Sequence, residues 1–134
     1  MFVKLMHTDN WEGVSNRNEV SEPPSFDEID RAIRRLNGRN FTMVVLSTCD
    51  ILTLTVAGGN DGRYLTELTV GEDDEFYILV NAGAGLEELS VVTGGQKGTV
   101  PARYCVALED ALRAARHFAE RGVMNDQQTW DERR

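Results

Sequence analysis

The residues that could carry out chemistry are few. His7 and His117 are the only histidines, and Cys49 and Cys105 the only cysteines. A Cys–His nucleophilic pair could be drawn only between Cys105 and His117, and nothing in the sequence supplies the geometry it needs. His117 stands just before the apolar Phe118, among Arg116 and Glu120, in the pattern of a solvated or half-buried helix residue. No His and Cys spacing fits a zinc site, which takes four ligands, or three and a water. Both cysteines sit in apolar contexts, so both read as buried free thiols, Cys105 within a strand. A disulfide is not expected in a reducing compartment.

The glycine motifs are structural by type. Gly58-Gly-Asn-Asp-Gly62 lacks the Gly-Lys-Ser/Thr of a phosphate loop and the spacing of a dinucleotide fingerprint. Its Asn-Asp-Gly favours positive φ and so a hairpin turn. Gly94-Gly-Gln96 shares a tripeptide with release factors, but it lies between two short strands and reads as a turn.

What remains is acid. Glu72-Asp-Asp-Glu75 is a turn of four consecutive carboxylates, and Glu87-Glu88 follows a glycine-rich link. The turn suits a solvated corner or a contact for a basic partner. Calcium is disfavoured because the D-x-D-x-D-G spacing is absent. Should the sheet bring the two groups together, their fields would add. Asp61, Glu72, Asp73, Asp74, Glu75, Glu87 and Glu88 are the candidate partner-binding residues, placed on loops from which they can project into a cleft. No catalytic residue, metal or cofactor is assigned.

The bulk composition agrees. The chain has 134 residues, 41% of them apolar, and a net charge of −8. That is one domain with a real core. Its acidity disfavours nucleic acid as a direct partner, since phosphates are held by Lys and Arg. It suits a partner that is basic because it binds nucleic acid. No run approaches the roughly 18 apolar residues of a membrane span. Residues 1–7 turn polar too soon for a secretory signal, and read as an edge strand of a cytoplasmic protein.

The elements that must position these residues follow from periodicity. Residues 41–47, 51–57 and 63–70 form three strands, two of them alternating apolar residues with Thr, Glu or Arg. Short polar links between them imply antiparallel pairing. Residues 76–80 and 89–93 are further strands, and 100–106 pairs back across the Gly94-Gly95 turn. Residues 8–24 read as a long surface loop, ordered in part by Trp11. Ser25-Phe-Asp-Glu28 is a capping box, opening a helix to about Asn37 that Gly38 ends. Its stripe is Phe26, Ile29, Ile33 and Leu36. A second helix, residues 107–121, turns Leu108, Ala111, Leu112, Ala115, Phe118 and Ala119 to one face, with Leu112 and Phe118 aimed at the sheet. Glu109/Arg113 and Arg116/Glu120 are expected i, i+4 pairs, and Gly122 ends the helix. The tail, 125–134, is polar except for Trp130, which is expected to fold back and dock. The expected architecture is α+β: an antiparallel sheet of five to seven strands with two helices packed on one face.

The order of these features resembles a known family. A capped helix precedes Met43-Val-Val-Leu-Ser47. After the hairpins come Val91-Val-Thr-Gly-Gly-Gln96, Val100-Pro101, Glu109-Asp-Ala-Leu-Arg-Ala-Ala-Arg-His-Phe118, Gly122 and Trp130. Over residues 27–130 this is similar to the immunity proteins that accompany deaminase and other toxins in bacterial polymorphic toxin systems, including the DddI-type antidotes. The resemblance implies a non-catalytic cytoplasmic protein, a monomer or weak dimer, that binds the C-terminal domain of one cognate toxin. It carries over no catalytic residues; Gly94, Gly95, Phe118 and Trp130 match as structural positions. Two other readings stay open: a regulatory or scaffold module of another complex, and an enzyme using Cys105 or a carboxylate pair.

Overall fold

The computed structural model describes residues 1–49, 51–71 and 75–133. Strands β1 (Val3–Thr8), β2 (Trp11–Glu12), β3 (Ser15–Asn16) and β4 (Glu19–Ser21) precede helix α1 (Phe26–Arg34). A meander follows: β5 (Met43–Thr48), β6 (Leu52–Gly58), β7 (Tyr64–Val70) and β8 (Glu75–Leu79). Then come β9 (Glu88–Thr93), β10 (Gln96–Pro101), helix α2 (Leu108–Arg121) and β11 (Trp130–Arg133). The fold is α+β. Seven strands form one antiparallel sheet in the order β11-β8-β7-β6-β5-β1-β4, and β9–β10 and β2–β3 are separate two-stranded ribbons.

The alternation seen in the sequence sets the two faces. Val44, Leu46, Leu54, Val56, Tyr64 and Leu68 are buried together and meet Ile29, Ile33 and Leu36 of the α1 segment and Ala111, Ala115 and Phe118 of α2. The intervening residues, such as Val45, Thr55 and Glu67, lie on the other face and are half-buried. Four alanines, Ala111, Ala114, Ala115 and Ala119, line the buried side of α2. Their small side chains let the helix backbone approach closely, and Phe118, fully buried, fills the remaining depth.

The capping box forms as expected. Ser25 Oγ accepts from the Glu28 amide at 3.1 Å, and Glu28 Oε1 accepts from the Ser25 amide at 3.0 Å. The helix stops at Arg34 rather than near Asn37. Asn37 is the reason: its side-chain oxygen accepts from the amides of Arg39, Asn40 and Phe41 and builds a turn instead of another helical step. Gly38 takes the left-handed conformation (φ 72°) inside that turn, not at the helix end. Gly122, also left-handed (φ 73°), does end α2.

Several expectations are corrected. The N-terminal strand β1 is interior, because β4 pairs outside it. Residues 8–24 are therefore not one loop; they supply β2, β3 and β4. β4 is held from a distance: Arg35 donates to Glu19 at 2.6 Å and to Thr8 at 3.1 Å, and Ser21 donates to Glu28 at 2.8 Å. The strand expected over 100–106 ends at Pro101, and a 3-10 turn, Ala102–Tyr104, brings Cys105 into the interior. Cys49 is exposed, lying past the last paired residue of β5. Leu112 is half-buried and faces the cleft between the helices with Phe26 and Ile29, not the sheet. Arg116 pairs with Glu120 at 2.8 Å, but Arg113 lies 3.9 Å from Asp110, rather than pairing with Glu109.

The tail does dock. β11 pairs with β8 along the sheet edge, and Trp130 packs on the core with its indole N–H donated to the Asn125 carbonyl at 2.9 Å. Asp131 accepts two bonds from Arg103, at 2.7 and 2.8 Å, and one from the Tyr104 hydroxyl at 2.8 Å. The Arg103 guanidinium, with Tyr104, holds the Asp131 carboxyl below its ordinary pKa.

Two outcomes are expected. Phe118→Ala should cost about 3–5 kcal/mol in denaturant unfolding, as buried Phe truncations do; a loss under roughly 1 kcal/mol would mean that the buried face of α2 is assigned wrongly. Deleting residues 125–134 should lower the melting temperature. Because the folded-state pKa of Asp131 is depressed, its contribution is complete above the ordinary value of 3.8 and fades as pH falls below it. Asp131→Asn should therefore lower Tm at neutral pH and lose less than the native protein on acidification; identical acid dependence would count against this anchor.

Candidate binding surface

The acidic residues occupy both ends of the sheet. Asp61 lies in the β6–β7 turn, in the left-handed region at φ 56°, exposed and 3.8 Å from Arg63. Glu87 and Glu88 are exposed at the start of β9; the Glu87 carbonyl accepts from the Ala102 amide at 2.9 Å, and Glu88 stands opposite Pro101. The two glutamates share the Asp61 end of the sheet: Glu88 acts electrostatically on Cys105, whose neighbour Val106 bridges to Tyr64 at the start of β7. Glu75 is at the other end, opposite Val70, half-buried and accepting from the Tyr77 hydroxyl at 2.8 Å. Glu72, Asp73 and Asp74 lie outside the described residues. β7 separates the ends by about 20 Å at the usual rise per strand residue. That exceeds the roughly 8 Å screening length at physiological salt. Glu75 and the Glu87–Glu88 pair thus act as separate patches.

At the Asp61 end the β9–β10 ribbon is fastened to the sheet by a buried carboxylate. Asp9 Oδ1 accepts from the amides of Thr42 at 2.7 Å and Met43 at 3.0 Å; Oδ2 accepts from the Trp11 indole at 2.8 Å and from the Thr42 hydroxyl. The same hydroxyl accepts from the Gly95 amide at 3.0 Å. Gly94 and Gly95 are both left-handed, at φ 60° and 79°, which shapes the two-residue turn. A Cβ on Gly95 would come within 2.6 Å of the Trp11 ring, so the position has no room for a side chain. Asn60 holds the ribbon from the side, donating to the Ser90 carbonyl at 2.9 Å and accepting from the Val92 amide at 3.2 Å.

The nucleophile reading gains no support from the geometry. Cys105 is buried at the floor of a cleft of about 370 Å³ that Arg63 and Glu87 also line. Its thiol reaches the Pro101 carbonyl at 3.9 Å, and burial pushes its pKa up, away from the reactive thiolate. His7 is exposed on β1 and His117 half-buried on α2. Among the described residues no group of three or more His, Cys, Asp or Glu could hold a metal ion.

The sequence pattern that defines the family Immunity protein Imm1 matches residues 17–132. The chain belongs to the Imm1 immunity-protein family. A comparison with curated proteins found no significant match. The Imm1 match begins at Arg17, so it takes in β4 but not β1, although β1 is an interior strand of the same sheet. It contains Thr42, Asn60, Gly94 and Gly95 of the ribbon end, but not Asp9 and Trp11 of its anchor.

Three surface features escaped the sequence reading. Leu86 is fully exposed beside Glu87. Val14 is almost fully exposed at the tip of the β2–β3 turn. The β9–β10 ribbon stands outside the main sheet, with residues 96–99 of β10 exposed. An isolated Leu or Val in a loop carries no period, and the ribbon's register is a tertiary fact. The Asp9-x-Trp11 pair was the one local clue to the anchor.

Asp9→Ala should destabilise the protein by about 3 kcal/mol or more, since each buried donor left unpaired costs roughly 1–3 kcal/mol. Equilibrium unfolding measures this, and a loss under about 1 kcal/mol would show that the anchor is dispensable.

Proposed function

We propose that this Imm1 protein binds the C-terminal domain of a cognate toxin that acts on nucleic acid, a deaminase, and blocks the groove in which that toxin holds its substrate. It does so in the cytoplasm, as a monomer or weak dimer. Family membership supplies toxin neutralisation. The observation that carries the finer reading is the charge: −8 over 134 residues, with exposed Asp61, Glu87 and Glu88 at one end of the sheet, Glu75 at the other, and Glu72, Asp73 and Asp74 next to it in the sequence.

The physical argument is complementarity. A toxin that acts on nucleic acid needs a basic groove for phosphates. Carboxylates on loops can lie where phosphates would, and attraction between opposite fields speeds capture. Fast capture suits an antidote, because the toxin's target is already present in the cell. Antidotes of this kind also bind tightly; colicin-type nuclease–immunity pairs approach about −18 kcal/mol or beyond. Separate acidic patches would meet separate stretches of a long groove.

The test is protection of cells from the C-terminal domain of the cognate toxin, sought first in the gene neighbouring this one, together with association kinetics at low and high salt. Reversing Glu72, Asp73 and Asp74 together, or Asp61, Glu87 and Glu88 together, should slow association, reduce its salt dependence and weaken protection while the fold persists. Single rim charges should change the on-rate more than the off-rate. Wild-type association by both triple variants at low salt would overturn the acidic-groove reading.

A further inference from the structure

The two edges of the β9–β10 ribbon are treated differently by the rest of the molecule. The turn pairs Thr93 with Gln96, and the next rungs are Val92–Lys97, Val91–Gly98 and Ser90–Thr99. In a two-residue hairpin the pair flanking the turn is hydrogen-bonded, and the pattern alternates from there. Val92–Lys97 and Ser90–Thr99 are thus the rungs whose backbone groups point outward. The β9 side bears this out: the outward Ser90 carbonyl and Val92 amide are the groups that Asn60 occupies, at 2.9 and 3.2 Å, with Arg63 adding a bond to Ser90 at 3.3 Å. A side-chain amide there takes the place of a neighbouring strand.

The β10 side has no such cover. Among the described residues nothing bonds the outward amides and carbonyls of Lys97 and Thr99, and residues 96–99 are all exposed. The main sheet's own edges are protected. β4 is crossed by the Arg35–Glu19 ion pair, and β11 carries Asp131, held by Arg103, and Arg133, bonded to Tyr104. β10 offers Gly98 and Thr99 with a single charge, Lys97, where protected edges carry bulk or several charges. It is also held rigid, by Gly95 at the turn and by the Ala102–Glu87 bond beyond its far end. A partner strand therefore need not order it.

We propose that the outer edge of β10 receives an extended segment of the cognate toxin domain as an added antiparallel or parallel strand. Its backbone pairs with Lys97 and Thr99, and Pro101, which has no amide hydrogen, ends the pairing. The occupant is chosen by chemistry at that end. Glu87 and Glu88 call for a cationic residue, as a nucleic-acid-binding domain would supply, and the exposed Leu86 calls for an apolar one. The proposal rests on the toxin-binding reading above, and specifies the mode of contact.

The test is amide hydrogen exchange on the native protein, free and with an inactivated C-terminal domain of the cognate toxin. The Lys97 and Thr99 amides should exchange freely alone and become protected in the complex. Thr99→Pro removes one outward amide hydrogen and leaves the ribbon's own ladder intact, so affinity should fall roughly tenfold or more, by loss of that bond and obstruction of the strand. Thr99→Ala, which keeps the backbone, should bind as the native protein does. A complex that forms without protection of these amides overturns the edge site and leaves neutralisation standing. Protection that instead grows with the concentration of the free protein assigns the edge to a second copy, and also overturns it. Failure to bind the toxin domain at all removes the underlying reading and this proposal with it.

Discussion

The Asp9 carboxylate is the constraint on which the ribbon end of the molecule depends. It sits just past β1, buried, and accepts from the Trp11 indole, the Thr42 amide and hydroxyl, and the Met43 amide. A buried carboxylate is costly unless its lone pairs are filled. Here its donors come from the start of β2 and the segment that opens β5, so satisfying Asp9 forces these pieces of chain into one place. Thr42 then passes the constraint on to Gly95. The ribbon is thereby set by a buried polar network as well as by the burial of Val91, and the network fixes position more sharply than an apolar contact alone would.

Around that anchor the molecule divides its work. The helices and the inward face of the sheet form the apolar core, with Phe118 and the alanines of α2 at its centre. The β9–β10 ribbon and the 81–87 link stand outside that core cluster and contribute little to it. Loops and ribbons held by a rigid scaffold are where recognition is usually placed. The side chains of Leu86, Glu87 and Lys97 are exposed, so changes there leave the core intact.

Much of the fold was legible in the sequence, because periodicity and capping are local. The β5–β8 meander follows from alternation and short links, the Ser25–Glu28 box from two side chains three residues apart, and α2 from its apolar stripe and Gly122. What could not be read was decided by remote partners. β4 is three residues long and exists because β1 pairs with it and Arg35 and Glu28 reach it. β1 looked like an edge for the same reason. Asn37, a single amide, shortened α1. Of the candidate site, the residues were visible as acids, but Glu75 and Glu88 open strands β8 and β9 rather than standing on loops, and the division of Glu75 from Asp61, Glu87 and Glu88 between opposite ends of the sheet was not visible. That division depends on strand count, register and direction. The open edge of β10 was hidden because an unpaired amide leaves no mark on a sequence.

The fit of Trp11 against Gly95 has an optical consequence. The chain holds two tryptophans. One is wedged at the joint between ribbon and sheet, with its indole N–H on a buried carboxylate. The other, Trp130, rides on the strand at the far edge of the sheet. Each indole therefore reports on a different attachment, so the emission of Trp11, isolated by replacing Trp130 with Phe, registers movement of the ribbon with no added label.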